Sequence, residues 1–183
     1  DREVEAHVRA VASASDLPMI LYNNPFTSRV ALTAELLDRI GDVKTLVAIK
    51  DATMDVYRIP TLQVALGDRV AVLGGGFDPY AFPSFCVGAK GWTTGMASLV
   101  PAKCVALHRA AVIDKNLPVG QKLDRELAPL ANFLVQFGLS VAVKSGLELM
   151  GRPAGAPRRP LLPLQQQDRE RLRSILAALG ALS

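Results

Sequence analysis

Lys50 closes a run of four apolar residues, Leu46-Val47-Ala48-Ile49, and Asp51-Ala52-Thr53 follow it. A short unbroken apolar run reads as a strand buried on both faces, the kind found in parallel sheets. The lysine then falls at the carboxyl end of that strand, where open α/β sheets and barrels place their ligands. An ammonium held against apolar walls is poorly solvated, and the neutral amine it gives up to is a nucleophile toward carbonyls. A plainer reading stays open: the stem lies along the sheet and the head reaches solvent or the carboxylate of Asp51.

Carbonyl chemistry on an amine needs a proton shuttle and donors for a substrate carboxylate. Tyr22 ends a second apolar run, Met19-Ile20-Leu21, and its phenol can both donate and accept a proton. It could equally be an amphipathic residue at a strand end. Gly76, the last of three glycines after Val70-Ala71-Val72-Leu73, and Thr93 after Trp92 offer backbone and hydroxyl donors on the same rim. The glycine triplet fits neither dinucleotide nor nucleoside-triphosphate loops and serves as well to loosen a turn. Asp78 precedes Pro79 as a helix N-cap would, and Lys144 stands four residues before Glu148, the spacing of a helical ion pair.

These residues need a scaffold that brings strand ends together. The pattern gives a helix over 2–14, a strand at 19–22, a helix capped by Thr33 through Ile40, and the Lys50 strand. A helix near 54–66, a strand at 70–73, a helix from Asp78 to about Val87 and a fourth strand at 92–94 follow. Alternating strands and helices with short links predict parallel β/α units. Beyond Pro101 only helices are expected, at 101–115, 118–137, 139–150 and 166–180, with a Pro-rich link at 152–163. The expected domains are 1–115, about four β/α units, and 116–183, a helical region. Four units do not close a barrel, which takes about 250 residues. The start at Asp1, without a methionine and inside a helical pattern, leads us to expect a preceding half.

Composition narrows the partners. The 183 residues are 50% hydrophobic with a mean hydropathy of +0.23, the make-up of a globular chain. No apolar run is long enough to span a bilayer, and no signal peptide is visible. The net charge of +4 is scattered, its one cluster (Arg152, Arg158, Arg159) lying in the Pro-rich link without aromatic neighbours, so neither nucleic acid nor membrane is expected as a partner. Cys86 and Cys104 have no metal-site spacing and suit a reducing cytoplasm, so no metal is expected.

Four segments, Tyr22-Asn23-Asn24-Pro25, Ala48-Ile49-Lys50-Asp51-Ala52-Thr53, Leu73-Gly74-Gly75-Gly76 and Gly88-Ala89-Lys90-Gly91, resemble the dihydrodipicolinate synthase / N-acetylneuraminate lyase family in order and spacing. The likeness runs on through Val143-Lys144-Ser145-Gly146 to the last helix. It implies the second half of a (β/α)8 TIM barrel plus a C-terminal helical domain. It implies a Schiff-base lyase acting on pyruvate or another 2-oxo acid without a cofactor, with Lys50 forming the imine and Tyr22 moving protons. By the same resemblance Gly76 and Thr93 line the keto-acid pocket, and Asp78 falls where sialic-acid lyases hold substrate hydroxyls. The family implies a homo-oligomer, dimer or tetramer.

The sequence departs from the family's synthases after Tyr-Asn-x-Pro, where Phe26-Thr27 replace Gly-Arg and Arg29 comes two residues late. That favours a sugar-acid aldolase, dehydratase or deaminase over condensation with aspartate semialdehyde. The alternatives are the synthase proper and a noncatalytic keto-acid-binding paralogue.

Overall fold

The structure, a computed structural model, describes residues 1–75 and 78–182. Its contacts divide it into two compact units, Asp1–Gly76 with Pro83–Thr93, and Phe77–Phe82 with Thr94–Ser183.

In the first unit, α1 (Arg2–Ser13) precedes β1 (Met19–Asn23), a single turn α2 (Pro25–Ser28), α3 (Ala34–Ile40) and β2 (Leu46–Asp51). Next come α4 (Arg58–Leu66) and β3 (Ala71–Gly74). The three strands form one parallel sheet in the order β1-β2-β3. Thr33 starts α3 as expected: its hydroxyl accepts from the Leu36 amide at 3.2 Å. The face that this cap directs inward, Leu36, Leu37 and Ile40, is wholly buried, and α4 adds Ile59, Leu62 and Leu66. Burying each such side chain contributes about 1.5–3 kcal/mol. Across the outer surface Arg9 reaches Asp42 at 3.0 Å and Arg39 reaches Glu5 at 3.1 Å, tying α1 to α3.

Three local expectations change. The fourth strand shrinks to one parallel bridge, Gly74 to Trp92. Its backbone does run beside β3 (the Lys90 amide donates to Val72 O at 2.9 Å, that of Gly74 to Gly91 O at 2.8 Å), but among the described residues the ladder goes no further. α4 starts at Arg58 and not near 54, because Met54 is left-handed (φ 64°) and an Asp51 turn occupies the intervening residues. β1 is not buried on both faces: Ile20 and Tyr22 are exposed while Asn23 is buried, since no described residue covers the Ile20 side.

The second unit is helical. After α5 (Ala81–Cys86), which carries the chain between the two sets of residues, come α6 (Pro101–His108), a π turn over Arg109–Ile113, and α7 (Leu117–Phe137). Asn116 caps α7 by accepting from the Val119 amide at 3.3 Å. Its long apolar stripe buries Leu127, Leu130, Phe133 and Leu134. α8 (Leu139–Leu149) and α9 (Gln166–Ala178) pack on α7 and on each other. Gly146 on α8 admits Leu99, whose Cδ2 would stand 2.7 Å from a β-carbon there. The Lys144–Glu148 pairing does not form. Lys144 donates to the carbonyls of Ala154 (2.7 Å), Gly155 (3.4 Å) and Ala156 (3.2 Å), and Glu148 takes Arg169 from α9 at 2.9 and 3.0 Å. The returning Pro-rich link brings three carbonyls to the ammonium that a helical neighbour would otherwise hold. Among the described residues no helix is long and apolar enough to cross a membrane.

Candidate active site

Tyr22 and Lys50 are directly opposed in the parallel register of β1 and β2, and the next pair along is Asn23 and Asp51. Side chains alternate across a sheet, so the two pairs lie on opposite faces. On one face the Lys50 Nζ stands over the Tyr22 ring, 4.1 Å from its centroid. The negative face of the ring attracts an ammonium placed so, and the phenol oxygen is left to accept from Asn24 Nδ2 at 3.1 Å. On the other face Asn23 Nδ2 donates to Asp51 Oδ2 at 2.7 Å. The carboxylate that could have taken the lysine therefore points away from it and pairs with Arg58 at 3.1 Å. Among the described residues Lys50 has no ion pair.

The strand end is wetter than expected. Lys50 is half-buried and Tyr22 is 49% exposed. The wall that does exist beside Lys50 comes from Gly75, whose missing side chain leaves room for the lysine stem. Sequence reasoning passed over this glycine in favour of Gly76, which lies outside the described residues. The signal was there in the triplet, but the triplet alone does not say which member abuts the lysine.

The other expected residues are placed as follows. Thr93 is exposed, one residue past the Trp92 bridge, and Thr94 turns its hydroxyl to accept from the Met96 amide at 2.9 Å. In the second unit Asp78 opens a 3-10 turn, Asp78–Tyr80, that packs against α7, and it is buried. Burial pushes the Cys104 thiol up to about 12, with the charge of Asp78 adding to the effect. The rim turn α2 leaves Phe26 57% exposed and ends on Arg29, also exposed, in the left-handed region at φ 59°. Among the described residues no group of three or more His, Cys, Asp or Glu could hold a metal ion.

Lys50 stands over the Tyr22 phenol at paired parallel strand ends, and the family model for the dihydrodipicolinate synthetase family matches residues 1–179. The chain belongs to that family. A 4-hydroxy-tetrahydrodipicolinate synthase of Thermomicrobium roseum is 37% identical over 94% of this chain and 56% of its own length. One from Idiomarina loihiensis is 34% identical over 97% of this chain and 60% of its own. The chloride-inhibited dihydrodipicolinate synthase of Acinetobacter baumannii, solved in complex with pyruvate, superposes with a TM-score of 0.90 at 34% identity. It covers 99% of this chain, which in turn spans 62% of that one. The chain thus spans less than two thirds of the length of these relatives. Within the family's architecture it forms part of the (β/α)8 barrel, the parallel sheet with its helices, followed by the helical C-terminal region.

Proposed function

We propose that the protein is a Schiff-base-forming lyase that acts on pyruvate or another 2-oxo acid, with Lys50 as its nucleophile. One observation carries the reading: Lys50 and Tyr22 occupy opposed strand-end positions with the amine 4.1 Å from the ring. Kinship with synthases, one of them solved with pyruvate, supports the same chemistry.

In this reading the lysine nitrogen attacks the keto carbon and forms a C–N bond. The former carbonyl oxygen takes up two protons and departs as water, leaving an iminium ion. Loss of a proton from the adjacent carbon gives an enamine, whose carbon adds to an aldehyde; the reverse sequence cleaves the same bond. The Tyr22 phenol moves protons to the departing oxygen and between carbon and solvent. By the family resemblance Thr93 lines the keto-acid pocket. Phe26 at the rim, in a turn without a cation over Pro25–Ser28, supports an acceptor other than a second carboxylic acid. The protein is proposed to be cytoplasmic and homo-oligomeric, with residues 116–183 as its C-terminal helical domain.

Borohydride reduction in the presence of pyruvate tests the reading. On the full-length protein a reduced pyruvyl adduct on the peptide carrying Lys50 is expected, and its absence at saturating pyruvate would reject the lyase. Calorimetric binding of pyruvate without an adduct would favour a noncatalytic keto-acid binder.

A further inference from the structure

On the face of the sheet away from Lys50 lies a closed polar network. Asn23 is 1% exposed and Asp51 is 6% exposed. Asp51 Oδ2 accepts from Asn23 Nδ2 at 2.7 Å and from Arg58 Nε at 3.1 Å. Its Oδ1 accepts from the Thr53 amide at 3.1 Å and from the Thr53 hydroxyl at a very short separation. The same partners reach on to one residue of the loop between α2 and α3: Asn23 Oδ1 accepts from the Leu32 amide at 3.1 Å, and Arg58 Nη2 donates to the Leu32 carbonyl at 2.8 Å.

An ionised carboxylate accepts about four hydrogen bonds, and here all four places are filled. Burying a charge costs several kcal/mol and is tolerated only when the charge is paired and fully bonded. An apolar pair would join β1 to β2 at less risk, so the network is a costly way to add stability. What it does add is direction. Asn23 and Asp51 follow Tyr22 and Lys50 by one residue on each strand, so fixing the first pair fixes the height and register of the second. Alternation already puts the carboxylate nearest in sequence to Lys50 on the opposite face, and the four donors there leave it no free site for the amine.

We propose that Asn23, Asp51 and Arg58 are positioning residues that hold the Lys50 amine over the Tyr22 ring and lock the Leu32 loop to the same strand ends. The proposal rests on the lyase reading for its purpose, but its geometry can be read separately. Lys50 is reductively methylated with labelled formaldehyde, and its methyl resonance is assigned by its loss in K50R. Over the ring of Tyr22 that resonance is shifted upfield by the ring current. Pyruvate trapping is measured on the same proteins without methylation.

In Asn23→Ala and Arg58→Lys, with the fold verified by circular dichroism, the resonance is expected to return to the unshifted position, and trapping to slow by about tenfold or more, since small displacements of a reacting group cost that much. Asp51→Asn gives the same result by weakening the Arg58 arm. Arg58→Lys keeps the charge and loses the fork, so it is the variant least prone to unfold. Folded variants that keep the upfield shift and the wild-type trapping rate would overturn the proposal, as would an unshifted resonance in the wild type. If the wild type shows the shift, the variants lose it and no protein traps pyruvate, the clamp stands and the lyase reading falls.

Discussion

Gly75 lies flush against the stem of Lys50. A β-carbon built on it would stand 2.8 Å from the lysine Cγ, 2.9 Å from its Cε and 2.8 Å from the carbonyl oxygen of Asp51. The lysine atoms can swing aside, but the carbonyl belongs to the strand and cannot. Gly75→Ala is therefore expected to cost about 1–3 kcal/mol of stability, the range for overpacking a tight site. It should also push Lys50 off the Tyr22 ring. Urea titration reads the first effect and the rate of pyruvate trapping the second; an alanine variant with wild-type values for both would show that the space is not limiting.

Tyr22→Phe keeps the ring beneath the amine and removes only the oxygen. Lys50 should stay in place, and pyruvate should still reach the site. Turnover and imine formation should slow by about a hundredfold or more, the usual contribution of a positioned proton donor. Steady-state kinetics separate the two, with the loss falling on kcat and little change in KM.

The two thiols should differ sharply in reactivity. Cys86 is exposed, whereas Cys104 is buried and its thiol is raised to about 12 from an ordinary 9.0. The thiolate is the reactive form. Iodoacetamide at about pH 8 should label Cys86 first and reach Cys104 only after unfolding, as mass spectrometry of timed samples will show. A raised folded value makes the neutral thiol a source of stability up to pH 9.0, lost as the pH climbs toward 12.

Hydrogen bonds from Arg39, and next from Arg9, hold the Glu5 carboxyl below its usual 4.5. A lowered folded value means that the stabilisation is present above 4.5 and disappears as acid titrates the group through its folded value. The wild type should unfold at higher urea than Glu5→Gln near neutrality, and the two midpoints should converge as the pH falls below 4.5. The difference should be small and salt-sensitive, because the pair sits at the surface.

The parts of this fold that a reader of the sequence could find are those set by local pattern. β2 and its lysine follow from an apolar run, and α3 from a threonine cap before three inward residues. The parts that stayed hidden depend on register and on the return of distant chain. Asn23 and Asp51 are separated by 28 positions, and only the parallel alignment of β1 with β2 turns them toward each other. A slip of one residue would have set Asn23 opposite Lys50 and left Asp51 without it. Arg58 falls inside the helix expected near 54–66, because nothing local reveals that Met54 is left-handed and delays α4. Lys144 had the right helical spacing for Glu148, yet the link at 152–163 supplied better acceptors. The fourth strand expected at 92–94 reduces, among the described residues, to the bridge at Trp92.

β1 pairs with β2 alone among the described residues, and Ile20 beside its open side is 53% exposed. A bare row of amides and carbonyls next to a branched apolar side chain is a template for any extended peptide that drifts past. A polypeptide of these 183 residues alone should clump through this rim when concentrated, and a charged gatekeeper such as Ile20→Lys should keep it dispersed.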